Sequence, residues 1–175
     1  MTKVPAPRVR LATPDDAPLL PAIERSAGAR FREVPGLAWL ADGEGLSADE
    51  HLGWIRQGTV WVATDGSDDP VAFLDAEVFG DELHVWEMSV HRDWQSRGLG
   101  RALLLAAAHY AAQAGLTALT LTTFRDVPWN GPFYTRMGFV PVVTEALSGR
   151  LVRVLAEEIV AGLPVQSRCA MRRAL

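Results

Sequence analysis

LHVWEMSVHRDWQSRGLGR, Leu83 to Arg101, passes from a strand-like run through a glycine-bearing turn into the apolar helical stretch Arg101–Ala114. A turn that leaves a strand and opens a helix gathers unpaired backbone N–H groups at the positive end of the helix dipole, a layout suited to phosphate oxygens. Gly98 and Gly100 let that backbone approach an anion closely. A lone G-x-G is weak, because many glycine turns merely start helices. Two better-defined phosphate motifs do not fit. No Gly-Lys-Ser/Thr follows, and the third glycine and opening βαβ unit of the dinucleotide fingerprint are missing. The stretch therefore predicts a nucleotide-bearing ligand, held neither as in an NTPase nor as in a dehydrogenase.

Upstream, Val9–Ala12 reads as a strand, and Thr13 caps a helix with Pro14, Asp15 and Asp16 in its first turn, expected to run to about Ala29. Phe31–Gly45, with Pro35 and several glycines, reads as a partly ordered loop that covers a site. Ser47 and Glu50 form a capping box for a helix with Leu52 and Ile55 at helical spacing, closed by Gly58. Thr59–Thr64, Val71–Val78 and Glu82–Val90 are β-rich runs separated by turn formers, which predicts an antiparallel meander. Downstream, helix Arg101–Ala114, stopped by Gly115, leads to strand Ala118–Phe124, so a right-handed parallel crossover is expected. A short helix Asn130–Met137, a strand Phe139–Val143, a helix Leu151–Ala161 and a last strand Gln166–Met171 complete the reading.

With 175 residues and 49% hydrophobic composition, the chain suits one domain, 1–175, with a sizeable core. A net charge of -4 without a basic stripe argues against nucleic acid as a partner. The start MTKVPAPR has no hydrophobic signal region, and the longest apolar run, Ala102–Ala108, is too short to span a membrane. These features predict a cytoplasmic protein with no membrane partner. The lone Cys169 sits in the final apolar strand and reads as core filling.

Gln95, Gly98 and Gly100 match the Q/R-x-x-G-x-G/A signature, and FYTRMGF, Phe133–Phe139, follows about 40 residues later across the expected helix and strand. In that order the two motifs resemble the GNAT superfamily of acyl-CoA-dependent N-acyltransferases. Thr123–Tyr134 further resembles a bacterial branch of that family of uncertain substrate. The resemblance implies an α/β (α+β) fold: a mixed, mainly antiparallel central sheet with splayed central strands and flanking helices. It implies acetyl-CoA as co-substrate, with pantetheine along Met88, Ser89 and Val90 and the pyrophosphate on Gln95, Ser96, Arg97, Gly98, Leu99, Gly100 and Arg101. No metal is implied. Arg97 and Arg101 read equally as phosphate contacts or as solvated helix-start arginines.

Acyl transfer to an amine needs a neutral nucleophile and stabilisation of the oxyanion. Glu87 is the candidate base, since a carboxylate inside a β-rich run must face water, a partner or a site. His84 is the reserve. Strand alternation places Glu87 with Val85 and Ser89, and His84 with Trp86 and Met88 on the opposite face. Tyr134, matching the family's tyrosine before Gly-Phe, is implied as the acid that protonates the departing thiolate. Family members often carry an asparagine seven residues before that tyrosine. Here Val127 stands there and Asn130 comes four before, so the helix is expected to be a turn shorter, with Asn130 either touching cofactor or capping.

Between Phe31 and Glu50, Glu33, Asp42, Glu44, Asp49 and Glu50 face only Arg32, with Trp39 among them. Such a lip suits a cationic amine of a small molecule or peptide, although a solvated loop and a capped helix start account for much of the charge. Direct transfer in a ternary complex is expected, there being no well-placed cysteine nucleophile. The alternative is a non-catalytic acyl-CoA-binding sensor or interaction module, which would need neither Glu87 nor Tyr134. A homodimer through exposed C-terminal strands is compatible with the sequence.

Overall fold

The computed structural model describes residues 8–175; the start of the chain, on which the signal-free reading rests, lies outside the described residues. Two compact units are present, Met1–Glu77 with Trp86–Tyr110 and Val78–Val85 with Ala111–Leu175. The strands are β1 (Arg8–Leu11), β2 (Val60–Thr64), β3 (Pro70–Phe79), β4 (Glu82–Val90), β5 (Ala118–Phe124), β6 (Val140–Pro141) and β7 (Arg168–Ala174). Among the described residues they pair in the order β1-β2-β3-β4-β5-β7-β6. The β4–β5 pair is parallel, whereas β1–β2, β2–β3, β5–β7 and β6–β7 are antiparallel. The two-residue Gly80–Asp81 connection joins β3 to β4, and so short a link connects only antiparallel strands. The helices are α1 (Leu20–Gly28), α2 (Ala48–Gln57), α3 (Leu99–Gln113), α4 (Gly131–Arg136) and α5 (Gly149–Val160). This is the mixed, mainly antiparallel sheet with flanking helices that the sequence led us to expect.

In the first unit β2 is buried on both faces. Val60 and Val62 join Ala17, Leu20, Ile23, Ile55 and Phe73 in one apolar cluster, while Trp61, between them in sequence, packs edge-on against Tyr110 of α3 at 5.4 Å. The α2 capping box forms as expected. Ser47 N–H donates to Glu50 Oε2 at 2.7 Å, and Gly58 closes the helix at φ 74°, a conformation that costs side-chain-bearing residues energy. The first helix departs from expectation. Pro14–Leu19 is a 3-10 helix, and α1 begins only at Leu20, because Pro18 lacks an N–H and its ring collides with a preceding carbonyl. Pro21 is tolerated because it falls in the first turn of α1. The Phe31–Gly45 segment likewise is more ordered than a loop, overlapping 3-10 turns at Ala29–Glu33 and Ala38–Asp42.

In the second unit Glu82–Val85 pairs with Ala118–Leu121, and that register goes no further, leaving Trp86–Val90 beyond it. α5 packs on β5 and β7. Glu158 accepts hydrogen bonds from Thr122 and from Arg168, while Leu151 and Val154 are buried. β6 stops at Pro141 rather than Val143, since proline gives the ladder no donor, although Val142 N–H still reaches Ala170 O at 2.9 Å. Cys169 is buried in β7, as a core-filling residue should be. No helix among the described residues is long and apolar enough to cross a membrane.

Candidate active site

The glycine turn keeps its expected place between β4 and α3, which opens at Leu99, two residues earlier than the pattern suggested. Ser96 and Gly98 have left-handed backbones, with φ 61° and 82°. Serine there costs energy that a mere connection would avoid. The first-turn N–H groups of α3 have no intrahelical carbonyl to meet; the Ala102 N–H is the one that reaches back to Gly98 O, at 3.0 Å. A Cβ placed on Gly98 would meet nothing within 4 Å, so the turn faces open space. Its flanks are braced. Gln95 Nε2 donates to Val90 O at 3.0 Å, and Arg97 donates to Asp93 O at 2.9 Å with its guanidinium 4.7 Å from the Trp94 ring centroid. Arg97 is thus engaged within the loop, while Arg101 is exposed on the first turn of α3. Met88 and Val90 are half-buried, and Ser89 is buried.

Glu87 lies in the same unit. Ser89 Oγ donates to Glu87 Oε1 at 2.7 Å, in keeping with the shared face expected of residues two apart. Burial and then the charge of Glu24 push the Glu87 carboxyl up to about 7; the Ser89 hydrogen bond opposes them, Asp75 adds a lesser push and His51 a lesser opposition. A carboxyl at that level exchanges its proton near neutral pH.

Three of these groups escaped sequence reasoning: Glu24 on α1, His51 on α2 and Asp75 on β3. His51 Nδ1 lies 2.7 Å from Asp75 Oδ2, with both side chains 0% exposed. The His51 ring stands edge-on to Phe73 at 4.9 Å. Leu46 N–H donates to Glu24 Oε2 at 2.9 Å. Gly45, at φ 68°, is required there, because a Cβ would come within 2.8 Å of the Glu24 carboxylate. Burial raises the Glu24 carboxyl above its ordinary range in spite of Leu46. Asp75 carried a signal that could have exposed it, an acid inside the apolar run VAFLDAEV, and His51 precedes the buried Ile55 by one helical turn. Among the described residues no group of three or more His, Cys, Asp or Glu side chains is arranged to hold a metal ion.

The acidic lip is partly consumed by local structure. Asp42 pairs with Arg32 at 2.5 Å and Glu50 serves the α2 cap, leaving Glu33, Glu44 and Asp49 exposed, with Trp39 at 48% exposure.

In the second unit, Tyr134 is 7% exposed on α4, its ring edge-on to Phe133 and Phe139 at 5.2 and 5.6 Å. α4 has six residues, the shortened helix expected from Val127 and Asn130. Asn130 does not cap it through its side chain, and its buried Oδ1 has no hydrogen-bond partner. Gly131 is fixed by close packing, since a Cβ would stand 2.2 Å from Arg125 O. His84, the reserve base, is fully buried with Nδ1 3.0 Å from Thr120 Oγ1. Burial and then the Arg150 charge push it down to about 3, leaving it neutral and weakly basic at neutral pH. Glu87 and His84 therefore belong to different environments.

Residues 56–141, which carry the turn, β4, α3, β5 and Tyr134, match the family model described as an acetyltransferase (GNAT) domain. Residues 56–141 thus belong to the GNAT superfamily. The chain is 32% identical over 94 residues to the mycothiol acetyltransferase of Nocardia farcinica, a match covering 50% of this chain and 31% of that protein. It thus spans about a third of that relative's length. The GNAT fold recurs in the PaiA N-acetyltransferase of Thermoplasma acidophilum, solved in complex with coenzyme A, with a TM-score of 0.72 and 14% identity over 98% of this chain and 100% of that one. A GNAT-family acetyltransferase of Staphylococcus aureus gives a TM-score of 0.69 and 13% identity, covering 97% and 99%.

Proposed function

We propose that the chain is an acetyltransferase that takes its acetyl group from acetyl-CoA and passes it to a primary amine of a small molecule or peptide. The observation that carries this reading is the left-handed Ser96–Gly98 turn at the start of α3, open in front of Gly98 and joined through His91–Trp94 to β4. Open space, first-turn N–H groups and a helix dipole fit a diphosphate. Residues Gln95 to Arg101 would hold it, and the backbone of Met88, Ser89 and Val90 would hold pantetheine, in the part of β4 beyond the β5 register. When bound, acetyl-CoA supplies the acetyl group as an activated thioester.

Glu87 serves the amine. Deprotonating a lysine-like ammonium at neutral pH costs about 4–5 kcal/mol, and a carboxylate with proton affinity near neutrality can accept that proton at Oε1 or Oε2. Tyr134 holds at its phenolic oxygen the proton that the departing sulfur requires. A half-buried base of raised affinity supports an enzyme over a binding-only module, which has no use for one. The exposed Glu33, Glu44 and Asp49 favour a cationic acceptor.

Tyr134→Phe is expected to lower kcat about 100-fold while calorimetry finds unaltered acetyl-CoA affinity; full activity in that variant would remove the assigned role. Release of free CoA, followed across polyamines, aminoglycosides, amino acids and peptide N-termini, identifies the acceptor class. No release with any of them, despite acetyl-CoA binding, would favour the binding module.

A further inference from the structure

We propose that Glu77, Trp54 and Trp86 form a second cation site beside Glu87, which makes the acceptor an aliphatic diamine: one nitrogen is acetylated at Glu87 while the other stays protonated against Glu77 and the two indoles. The inference rests on the reading of Glu87 as the base. Glu77 of β3 is half-buried, and its Oε2 accepts from two indoles, Trp86 Nε1 of β4 at 2.9 Å and Trp54 Nε1 of α2 at 3.4 Å. The two rings are near-parallel, with planes 25° apart and centroids 6.3 Å apart, and both are half-buried. An indole N–H needs only an acceptor, which a glutamine or a backbone carbonyl supplies without charge. A carboxylate withdrawn from water is costly unless a cation answers it. Yet among the described residues Glu77 makes no ion pair, and its Oε1 accepts no hydrogen bond. One negative charge flanked by two indole faces is the chemistry that recognises an ammonium.

β4 brings this group onto the face that carries Glu87. Phe79 and Glu82 flank the two-residue turn and so lie opposite each other, whereas His91 N–H reaches Val71 O at 2.9 Å. Between those points β4 has one residue more than β3, the mark of a β-bulge, and strand alternation slips there. Counting back from His91, Ser89 lies opposite Phe73, which packs in the apolar cluster with Leu20 and Ile23 of α1 and Ile55 of α2. Ser89 Oγ donates to Glu87 Oε1 at 2.7 Å, so Glu87 is on that face too, opposite Asp75. Trp86 shares the face rather than opposing it, because its indole meets Glu77 beside Trp54 of α2. Glu77 is then the diagonal neighbour of Glu87 across the strand pair, about 7–8 Å away. A diamine of that reach spans the two carboxylates, with its methylenes along the indoles. At the reacting end an N–H bond breaks and its proton passes to a Glu87 oxygen. The nitrogen electron pair forms the bond to the acetyl carbon as the C–S pair leaves on sulfur. The far end keeps its proton and its charge.

Cadaverine and pentylamine, which differ only in the second amine, test the site in the full chain with acetyl-CoA. The kcat/KM for cadaverine should exceed that for pentylamine about tenfold. Glu77→Gln, whose amide oxygen can still accept from both indoles, should bring that ratio close to one. Equal values in the wild type, or an undiminished ratio in Glu77→Gln, would overturn the cation site. Should the variant fail to fold, the indole fluorescence of the wild type in the presence of CoA decides. Titration should show cadaverine bound about tenfold more tightly than pentylamine, whereas equal affinities, or no binding of either, overturn the site. The two readings fail separately. If cadaverine binds preferentially but neither amine is acetylated, the cation site stands and acetyl transfer to amines falls. If Glu87→Gln keeps full activity along with the preference for cadaverine, the base assignment alone is wrong; if it abolishes activity while the wild type treats the two amines alike, only the cation site falls.

Discussion

His51 and His84 are both completely buried, yet their surroundings drive them in opposite directions. His51 meets a carboxylate at 2.7 Å and is raised; His84 meets a hydroxyl at 3.0 Å, near the Arg150 cation, and falls to about 3. Burial opposes the charged imidazole in both places. The sign is decided by the neighbours, three carboxylates around His51 and a guanidinium near His84. Arg150 is itself held by Glu82 at 3.1 Å and stacks 4.6 Å from the Phe79 ring centroid. A buried histidine therefore says little about function until the charge around it is known.

The sharpest way to break the contrast is Asp75→Ala. It strands His51 without a counter-charge, so the imidazole should turn neutral like His84, and stability should fall by about 3–5 kcal/mol in urea unfolding. A loss below about 1 kcal/mol would mean that the pair carries no buried charge.

The two histidines should also leave opposite marks on stability against pH. His84 has a folded affinity below its unfolded value of 6.5, so the folded state binds fewer protons between about 3 and 6.5, and its contribution is lost as pH falls through that window. His51 is raised, so its contribution is complete below 6.5 and lost as pH climbs through the higher folded value. His84→Gln should thus flatten the acid side of the stability curve and His51→Gln the neutral-to-alkaline side. Urea midpoints measured at a series of pH values would expose an exchange of the two effects, which would invert the assignment.

The smallest effect is expected from Thr120→Val, which removes the His84 Nδ1 partner while keeping the side chain's shape. About 1 kcal/mol should be lost in the same assay, with the acidic limb of kcat/KM unmoved. Movement of that limb would tie His84 to the chemistry after all.

Much of this molecule was legible before folding was considered. The α2 capping box, the β2–β3–β4 meander, the α3–β5 crossover and the Gln95–Arg101 turn depend on nearby residues, and local rules place them to within two residues. Misreadings came where a local signal was overruled or underweighted. Pro18 splits the first helix although the acidic first turn favours one continuous helix, Pro141 ends β6 early, and the glycine-rich Phe31–Gly45 segment still winds into 3-10 turns. Asn130 reads as either a cofactor contact or a cap; its side chain makes no cap hydrogen bond, and its buried Oδ1 has no partner.

The sequence by itself determined the order of elements and the anion-suited turn and offered Glu87 as a candidate, because strand alternation, caps and glycine conformations are properties of neighbours along the chain; Tyr134 became a candidate only through the family resemblance. Only the tertiary structure decided which charges oppose Glu87 and which histidine can hold a proton. Those energies depend on distance and burial between residues up to 66 positions apart, His84 to Arg150, and nothing in the linear order ranks such partners.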